Sequence, residues 1–285
     1  MRTITFLLLT FSLPLSLHAD WGANGHRIVA KICYDNLNER ARNAVDEALG
    51  DNYLEQVANW PDYIKAERGW SFASSWHYMT IQPDETLEEI IARNAETEEI
   101  DDVYEGIQLM LAILRDDQEA IDQMEAIMEK NRVEPLAGSI EATALAFLIH
   151  FIGDIHQPMH VGKNRDLGGN KIEVLYFSER YNLHSVWDTW MIEHERLSYT
   201  EFSAFVEKHV HQNKAGWENA PVITWAQESI EYREEIYNTL YDYTDRETGL
   251  PSFSWNYQHD FIPVVEARLG AAGYRAAALL NEVYD

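Results

Sequence analysis

The stretch from Ser139 to His160, SIEATALAFLIHFIGDIHQPMH, constrains this chain most, because it sets histidines and a carboxylate inside the most apolar run beyond the first twenty residues. Ser139 predicts an N-cap, Glu141 places negative charge at the positive end of the helix dipole, and Pro158 marks the stop. The helix between them is mostly apolar and is expected to be buried. His150 and Asp154 stand at i and i+4, which puts both side chains on one face, and His160 follows just past the proline. Burying an unpartnered carboxylate costs several kcal/mol, so Asp154 requires a cation, a donor network or a proton. A metal ion satisfies it and both imidazoles together. The alternative is a core helix whose histidines bond to backbone carbonyls, and what decides between the two is the number of further ligands the chain offers.

The 285 residues carry no Pro/Gly/Ser-rich linker and no repeat, which reads as one domain. Arg2, the run Ile4 to Leu17 and the small residue Ala19 read as a signal peptide over residues 1–19. The run is short for a bilayer and contains Pro14, which disfavours a retained anchor. The mature protein, beginning at residue 20 or 21, is therefore expected to be secreted or periplasmic, with no membrane segment of its own. Cys33 is the single cysteine, so no intrachain disulfide can form despite export, and bound metal is a candidate staple. A net charge of −26 excludes a protein that grips nucleic acid over a broad basic surface.

The rest of the chain supplies the ligands. Trp21-Gly22-Ala23-Asn24-Gly25-His26 leads into a helix capped near Asn24, with His26 in its first turn. Asn38 to Leu49 predicts a second helix. Trp60-Pro61-Asp62 reads as a turn or helix start, and Trp76-His77-Tyr78 follows an irregular segment. Helices are expected after the capping box Thr86–Glu89, over Asp101 to Arg115, and over Glu119 to Lys130. Asp166-Leu167-Gly168-Gly169-Asn170 is a turn before a strand over Lys171 to Phe177, a small hairpin whose glycines either make the turn or let backbone approach a ligand. His184 and Asp188 then repeat the i, i+4 pair of His150 and Asp154. Helices over Ser198 to Val210, Ala226 to Tyr241 and Phe261 to Tyr284 complete a mainly α-helical domain. His209 and His211 are read as solvated, and Glu228 to Tyr243 as a helix with one packed and one wet face.

The candidate ligands are thus His26, Asp62, His77, His150, Asp154, His160, His184 and Asp188. Five imidazoles, three carboxylates and no thiolate suit zinc, with iron or manganese as alternatives. Eight are too many for one tetrahedral ion and suit a cluster of two or three.

The motifs WGANGH, WPDYIK, WHY, HFIGDIHQPMH, DLGGN and NLHSVWD, in this order over residues 21–285, closely resemble the S1/P1 nuclease family of zinc-dependent single-strand nucleases and 3′-nucleotidases. The resemblance implies a phospholipase C/P1 nuclease-like fold and three zinc ions. It assigns one to Asp62, His77, His150 and Asp154, a second to His160, His184 and Asp188, and a third to His26, a bridging Asp154 and the amino and carbonyl groups of an N-terminal Trp21. His156 is no ligand in this pattern. Lys65 would stabilise the transition state beside Asp62 and Asp154, Tyr78 would stack on a base, and Asn170 and Thr189 would lie near the substrate, while Trp76 packs. The implied reaction breaks the P–O3′ bond of single-stranded DNA or RNA, or of 3′-nucleotides, and leaves 5′-phosphates. A monomer is expected.

Three departures bear on the carry-over. Thr80 stands where relatives carry a base-contacting aspartate, with Asp84 as a nearby substitute. Thr189 replaces an asparagine. Cleavage after Ala19 leaves Asp20 ahead of Trp21, so cleavage falls after Asp20, or Asp20 is trimmed, or the third site is altered. The rival readings are a zinc-dependent phospholipase C and an exported zinc-binding protein without catalysis; Tyr78 and the close Trp21-to-His26 spacing favour the nuclease.

Overall fold

A computed structural model describes residues 21–82, 85–97 and 99–285. The leader read over residues 1–19 and the substitute carboxylate Asp84 lie outside the described residues. Fourteen α-helices carry most of the described chain: α1 (Ala23–Asp35), α2 (Glu39–Leu49), α3 (Leu54–Val57), α4 (Trp60–Ile64), α5 (Leu87–Asn94), α6 (Val103–Leu114), α7 (Gln118–Asn131), α8 (Ile140–His156), α9 (Leu183–Ser185), α10 (Met191–His194), α11 (Tyr199–Val210), α12 (Lys214–Trp217), α13 (Val222–Thr239) and α14 (Trp255–Val283). Five short strands complete them: β1 (Met79–Ile81), β2 (Val161–Lys163), β3 (Glu173–Tyr176), β4 (Glu179–Asn182) and β5 (Ser252–Phe253).

Local chemistry explains where the elements begin. The Asn38 side chain accepts from the Ala41 amide and Ser139 from that of Ala142, while Thr86 with Glu89 and Ser198 with Glu201 form capping boxes. The first helix starts earlier than the sequence suggests. Gly22 takes the cap position, and Asn24 lies inside the first turn, its Nδ2 donating to Glu193 at 2.7 Å and its Oδ1 accepting from Arg27. The last helix also starts earlier, at Trp255, since Tyr257 and Phe261 bury one turn apart against the core. A hairpin forms, but as β3 against β4 with its turn at Phe177 and Ser178 rather than at the DLGGN glycines, and β5 adds a parallel neighbour.

The core is built around α8. Every residue from Ala142 to His156 is buried, and α1, α4, α6, α13 and α14 pack around it. Each buried Leu, Ile or Phe side chain there contributes roughly 1.5–3 kcal/mol, which is what holds a helix carrying polar ligands in an apolar interior. β1 and β2 form a separate two-stranded parallel ribbon, with Met79 opposite Val161 and Ile81 opposite Lys163.

Candidate metal centre

The fold gathers all eight imidazole and carboxylate candidates in one place. Their ligand atoms fall into three groups, each within 4.8 Å: His26, His150 and Asp154; Asp62, His77 and His150; His160, His184 and Asp188. The i, i+4 pairs meet as their spacing predicts, His150 Nε2 at 3.1 Å from Asp154 Oδ2 and His184 Nε2 at 2.9 Å from Asp188 Oδ2. Asp154 faces two ways. Its Oδ2 is 3.2 Å from His77 Nδ1, while its Oδ1 is 3.5 Å from His26 Nε2 and 3.3 Å from His160 Nδ1. Asp62 Oδ1 completes the near group at 3.4 Å from His150 Nε2.

Backbone carbonyls orient three of the rings. His150 Nδ1 donates to the Ala58 carbonyl at 2.7 Å, His160 Nδ1 to that of His77 at 2.8 Å, and His184 Nδ1 to that of Gly168 at 2.7 Å. Each bond places the ring proton on Nδ1 and turns the Nε2 lone pair inward, the arrangement that precedes metal ligation. The Gly168 carbonyl reaches His184 because its loop lies flat on β2. A Cβ on Gly162 would stand 2.5 Å from Gly168 Cα, and one on Gly168, where φ is +61°, only 2.3 Å from the Met159 oxygen. Gly168 is needed both for its positive φ and for its close approach to the Met159 carbonyl, an approach to protein backbone and not to a ligand.

The helix that carries the last ligand is irregular where it matters. Val186–Trp190 makes a π-helical turn between α9 and α10, and Asp188 lies within it. Gln157, which the sequence reading passed over, is buried with its Nε2 donating to Asp188 Oδ1 and its Oε1 accepting from the Met159 amide.

Among the described residues, His26 Nδ1 and Nε2, Asp154 Oδ1, His160 Nε2, His184 Nε2 and Asp188 Oδ2 are buried without a hydrogen-bond partner. So many unsatisfied polar atoms in one interior would each cost about 1–3 kcal/mol, and cations at the three groups would answer the carboxylate oxygens and one nitrogen of each ring. The donor set of imidazole nitrogen and carboxylate oxygen fits a divalent metal of the zinc type. Electrostatics agree. Against burial, which acts to raise it, His150 and His160 hold Asp154 well below the usual carboxylate range; against burial, which acts to lower it, Asp154 and Asp188 raise His160 to about 9. Burial, joined by its neighbour His150, holds His26 neutral, so its lone pair stays available.

Trp21 and the substrate candidates surround this cluster. The buried Trp21 indole donates to the Gly153 carbonyl at 2.8 Å, which fixes the start of α1 beside α8. Lys65 Nζ lies 2.9 Å from Asp62 Oδ1, and burial lowers its pKa to about 8 against the pull of Asp154 and Asp188. Tyr78 is 42% exposed and stands on the rim of a cleft of about 390 Å³ whose wall includes His160, His184, Thr80 and Asn170. Trp76 is buried and bonds to the Ile100 carbonyl. Thr189 packs on the backbone of Gly22, whose amide bonds to the Asp188 carbonyl at 2.7 Å.

Behind α8 the acidic helix has the expected packed face, with Trp225, Ser229, Arg233 and Ile236 buried, and the expected wet face, with Gln227, Glu231 and Glu235 exposed; what the reading missed is Glu228 at the edge between them. Glu228 of α13 binds both Arg268 and Arg275 of α14, two fully buried cations. Arg268 Nε donates to the His156 carbonyl at 2.9 Å, and Arg275 meets His156 Nε2 at 2.8 Å while His156 Nδ1 donates to the Ile152 carbonyl. The signal was present as two arginines seven residues apart in the otherwise apolar ARLGAAGYRAAALL. His209 and His211 remain exposed, His209 beside Glu266.

Comparison with known proteins places these features. The family profile described as S1/P1 Nuclease matches residues 21–285. Endonuclease 4 of Arabidopsis thaliana is 31% identical over 93% of this chain and 89% of its own length. Nuclease S1 of Aspergillus oryzae is 28% identical over 92% of this chain and 91% of its length, and Nuclease P1 of Penicillium citrinum 25% identical over 93% and 98%. A solved structure, the alpha toxin from Clostridium absonum, aligns with a TM-score of 0.40 at 14% identity over 93% of this chain and 67% of that one.

Proposed function

Because the chain belongs to the S1/P1 nuclease family, we propose that this nuclease is an exported zinc-dependent endonuclease acting on single-stranded DNA and RNA, with 3′-nucleotidase activity. The observation that carries the reading is the meeting of three His/Asp groups, with their buried unbonded nitrogens, at the wall of a cleft rimmed by an exposed tyrosine.

Asp62, His77, His150 and Asp154 would hold one zinc, His160, His184 and Asp188 a second, and His26, Asp154 and the main chain of Trp21 a third. Bound there, zinc supplies Lewis acidity at the phosphoryl oxygen, a lowered pKa for water and positive charge facing the departing 3′-oxygen. The chain's own residues do the rest. Tyr78 offers a face on which a base stacks, worth about 1–3 kcal/mol and indifferent to sequence. A duplex base has no free face to offer, which supports the preference for single strands. Asn170 lies in the same wall, and Thr189 abuts the last ligand. Lys65, held by Asp62, presents a cation beside the phosphorus as water attacks in line and the P–O3′ bond breaks. The products are a 3′-hydroxyl and a 5′-phosphate.

Residues 1–19 would direct export to the periplasm or the medium, and residues 21–285 would act as a monomeric nuclease domain. A free amino group at Trp21 requires removal of Asp20 as well. Intact mass and metal analysis of the exported protein test both points, with Trp21 first and three zinc ions expected. Asp154→Asn is expected to abolish nuclease activity and release zinc; near wild-type activity in that variant would overturn the cluster.

A further inference from the structure

The β1–β2 ribbon joins the metal centre to a second, cationic cleft. β1 begins two residues after His77 and β2 directly after His160, and the bond from His160 Nδ1 to the His77 carbonyl closes the pair at the metal end. From that pair the strands run in register to Ile81 and Lys163, roughly 10 Å along the β2 side at about 3.3 Å per residue. At that end lies a cleft of about 310 Å³ lined by Lys163, Arg165 and Arg233, with Gln82, Asn164 and the carboxylate Glu85. Asn164 stands in the walls of both clefts and donates to Gln82 Oε1 at 2.8 Å, forming the saddle between them.

Such a gathering of cations is unusual in a chain with 22 basic and 48 acidic residues. Arg165 is 72% exposed, with Nε 3.5 Å from Asp166. Lys163 lies 2.8 Å from Glu234 Oε2 and over the Tyr237 ring, and the buried Arg233 shares the same Glu234 while donating to the Val161 carbonyl. Glu234 answers both Lys163 and Arg233, Asp166 stands beside Arg165, and Glu85 on the wall is engaged by Arg93, so four cations meet three carboxylates and one positive charge is left over at the cleft.

We propose that this cleft binds the 5′-phosphate of the nucleotide whose base stacks on Tyr78. The inference rests on the nuclease reading and extends it. If the P–O3′ bond breaks at the metal centre, that nucleotide holds its 3′-phosphate there. Its 5′-phosphate lies across the sugar, one backbone step away, a separation on the scale of the ribbon. Substrates with a phosphate 5′ to the stacked base, internal positions of a strand included, are then preferred over simple 3′-mononucleotides.

The test compares a nucleoside 3′-monophosphate, the corresponding 3′,5′-bisphosphate and a single-stranded oligonucleotide with the zinc-loaded full chain. The wild type should favour the bisphosphate by KM. Arg165→Glu, at an exposed position, should raise KM for the bisphosphate about fivefold relative to the monophosphate, the scale of one exposed ion pair. Glu234→Gln should shift the same ratio the other way by releasing Lys163. For the oligonucleotide, Arg165→Ala should reduce the slope of log affinity against log salt by about one. Variants that move both small substrates equally, or neither, overturn the phosphate cleft and leave the nuclease reading standing. A wild type that hydrolyses none of the three overturns the nuclease reading itself.

Discussion

Gln157 is a neutral residue with no affinity for zinc, yet its amide holds Asp188 at one end and the Met159 amide at the other. Its role is to fix the carboxylate that His160 and His184 share. Gln157→Leu keeps the volume and removes both bonds, which leaves the Met159 N–H unsatisfied and Asp188 less constrained. Partners of this kind are worth about 10–100-fold in metal affinity. The expected result is that a competing chelator strips one zinc from the variant at about tenfold lower concentration, measured by metal retained at each chelator level; identical stripping curves would rule the role out. Of the eight ligand candidates, His150 with Asp154 and His184 with Asp188 were legible because carboxylates and imidazoles at i, i+4 have few other uses, while His26, Asp62, His77 and His160 gained weight only from their company. Gln157 was not, since a buried glutamine looks the same whether it serves a ligand or a turn.

At the scale of elements, α8 and α1 meet closely enough that a hydrogen atom is the only side chain tolerated at Gly153. A Cβ there would lie 2.9 Å from His26 Nδ1 and 3.7 Å from Trp21 Cδ1. In an isolated helix Gly→Ala is worth roughly 1 kcal/mol of added stability. Here the clash opposes that gain and pushes His26 from Asp154. Gly153→Ala is therefore expected to bind one zinc fewer than wild type and to unfold at lower temperature, as read by metal stoichiometry and a thermal melt; full stoichiometry would show that the ring has room to shift. Helix identity was readable from caps and periodicity, as Ser139 and the two capping boxes show. The starts of α1 and α14 were misjudged because tertiary partners decide them: the Gly22 amide is tied to the Asp188 carbonyl just ahead of α1, and core contacts of Tyr257 extend the last helix. The cationic cleft had no local signature, since Lys163 and Arg233 are brought together only by the packing of α13 against β2.

For the whole molecule, the candidate ligands bring α1, α4, the segment before β1, α8 and the turn around Asp188 to one point, in a chain whose one cysteine is buried and free. Each ion at 1,000 times its dissociation constant adds about 4 kcal/mol. In a domain of this size 1 kcal/mol moves the melting midpoint by roughly 2–4 °C. Exhaustive chelation is expected to lower that midpoint by about 10 °C or more, followed by scanning calorimetry, with recovery on adding zinc back. A midpoint that does not move would separate the metals from the stability of the fold.

The packing of α14 on α1 sets a further condition, one of time. Gly273 lies so near that a Cβ would stand 2.5 Å from Ile32, and Asn281 bonds to both the Asn38 amide and the Asn36 carbonyl. The surface that covers the helix bearing His26 is thus made after all eight candidate ligands. At about 5–20 residues per second, the 220 residues between Asp35 and Trp255 take at least roughly ten seconds to synthesise. During that interval Ile28, Val29 and Ile32 lack their final cover, and His26 has no fixed position. The centre therefore assembles only once α14 has been made, and a product truncated before it that retains all eight His/Asp candidates would still lack the cover that holds His26 in place.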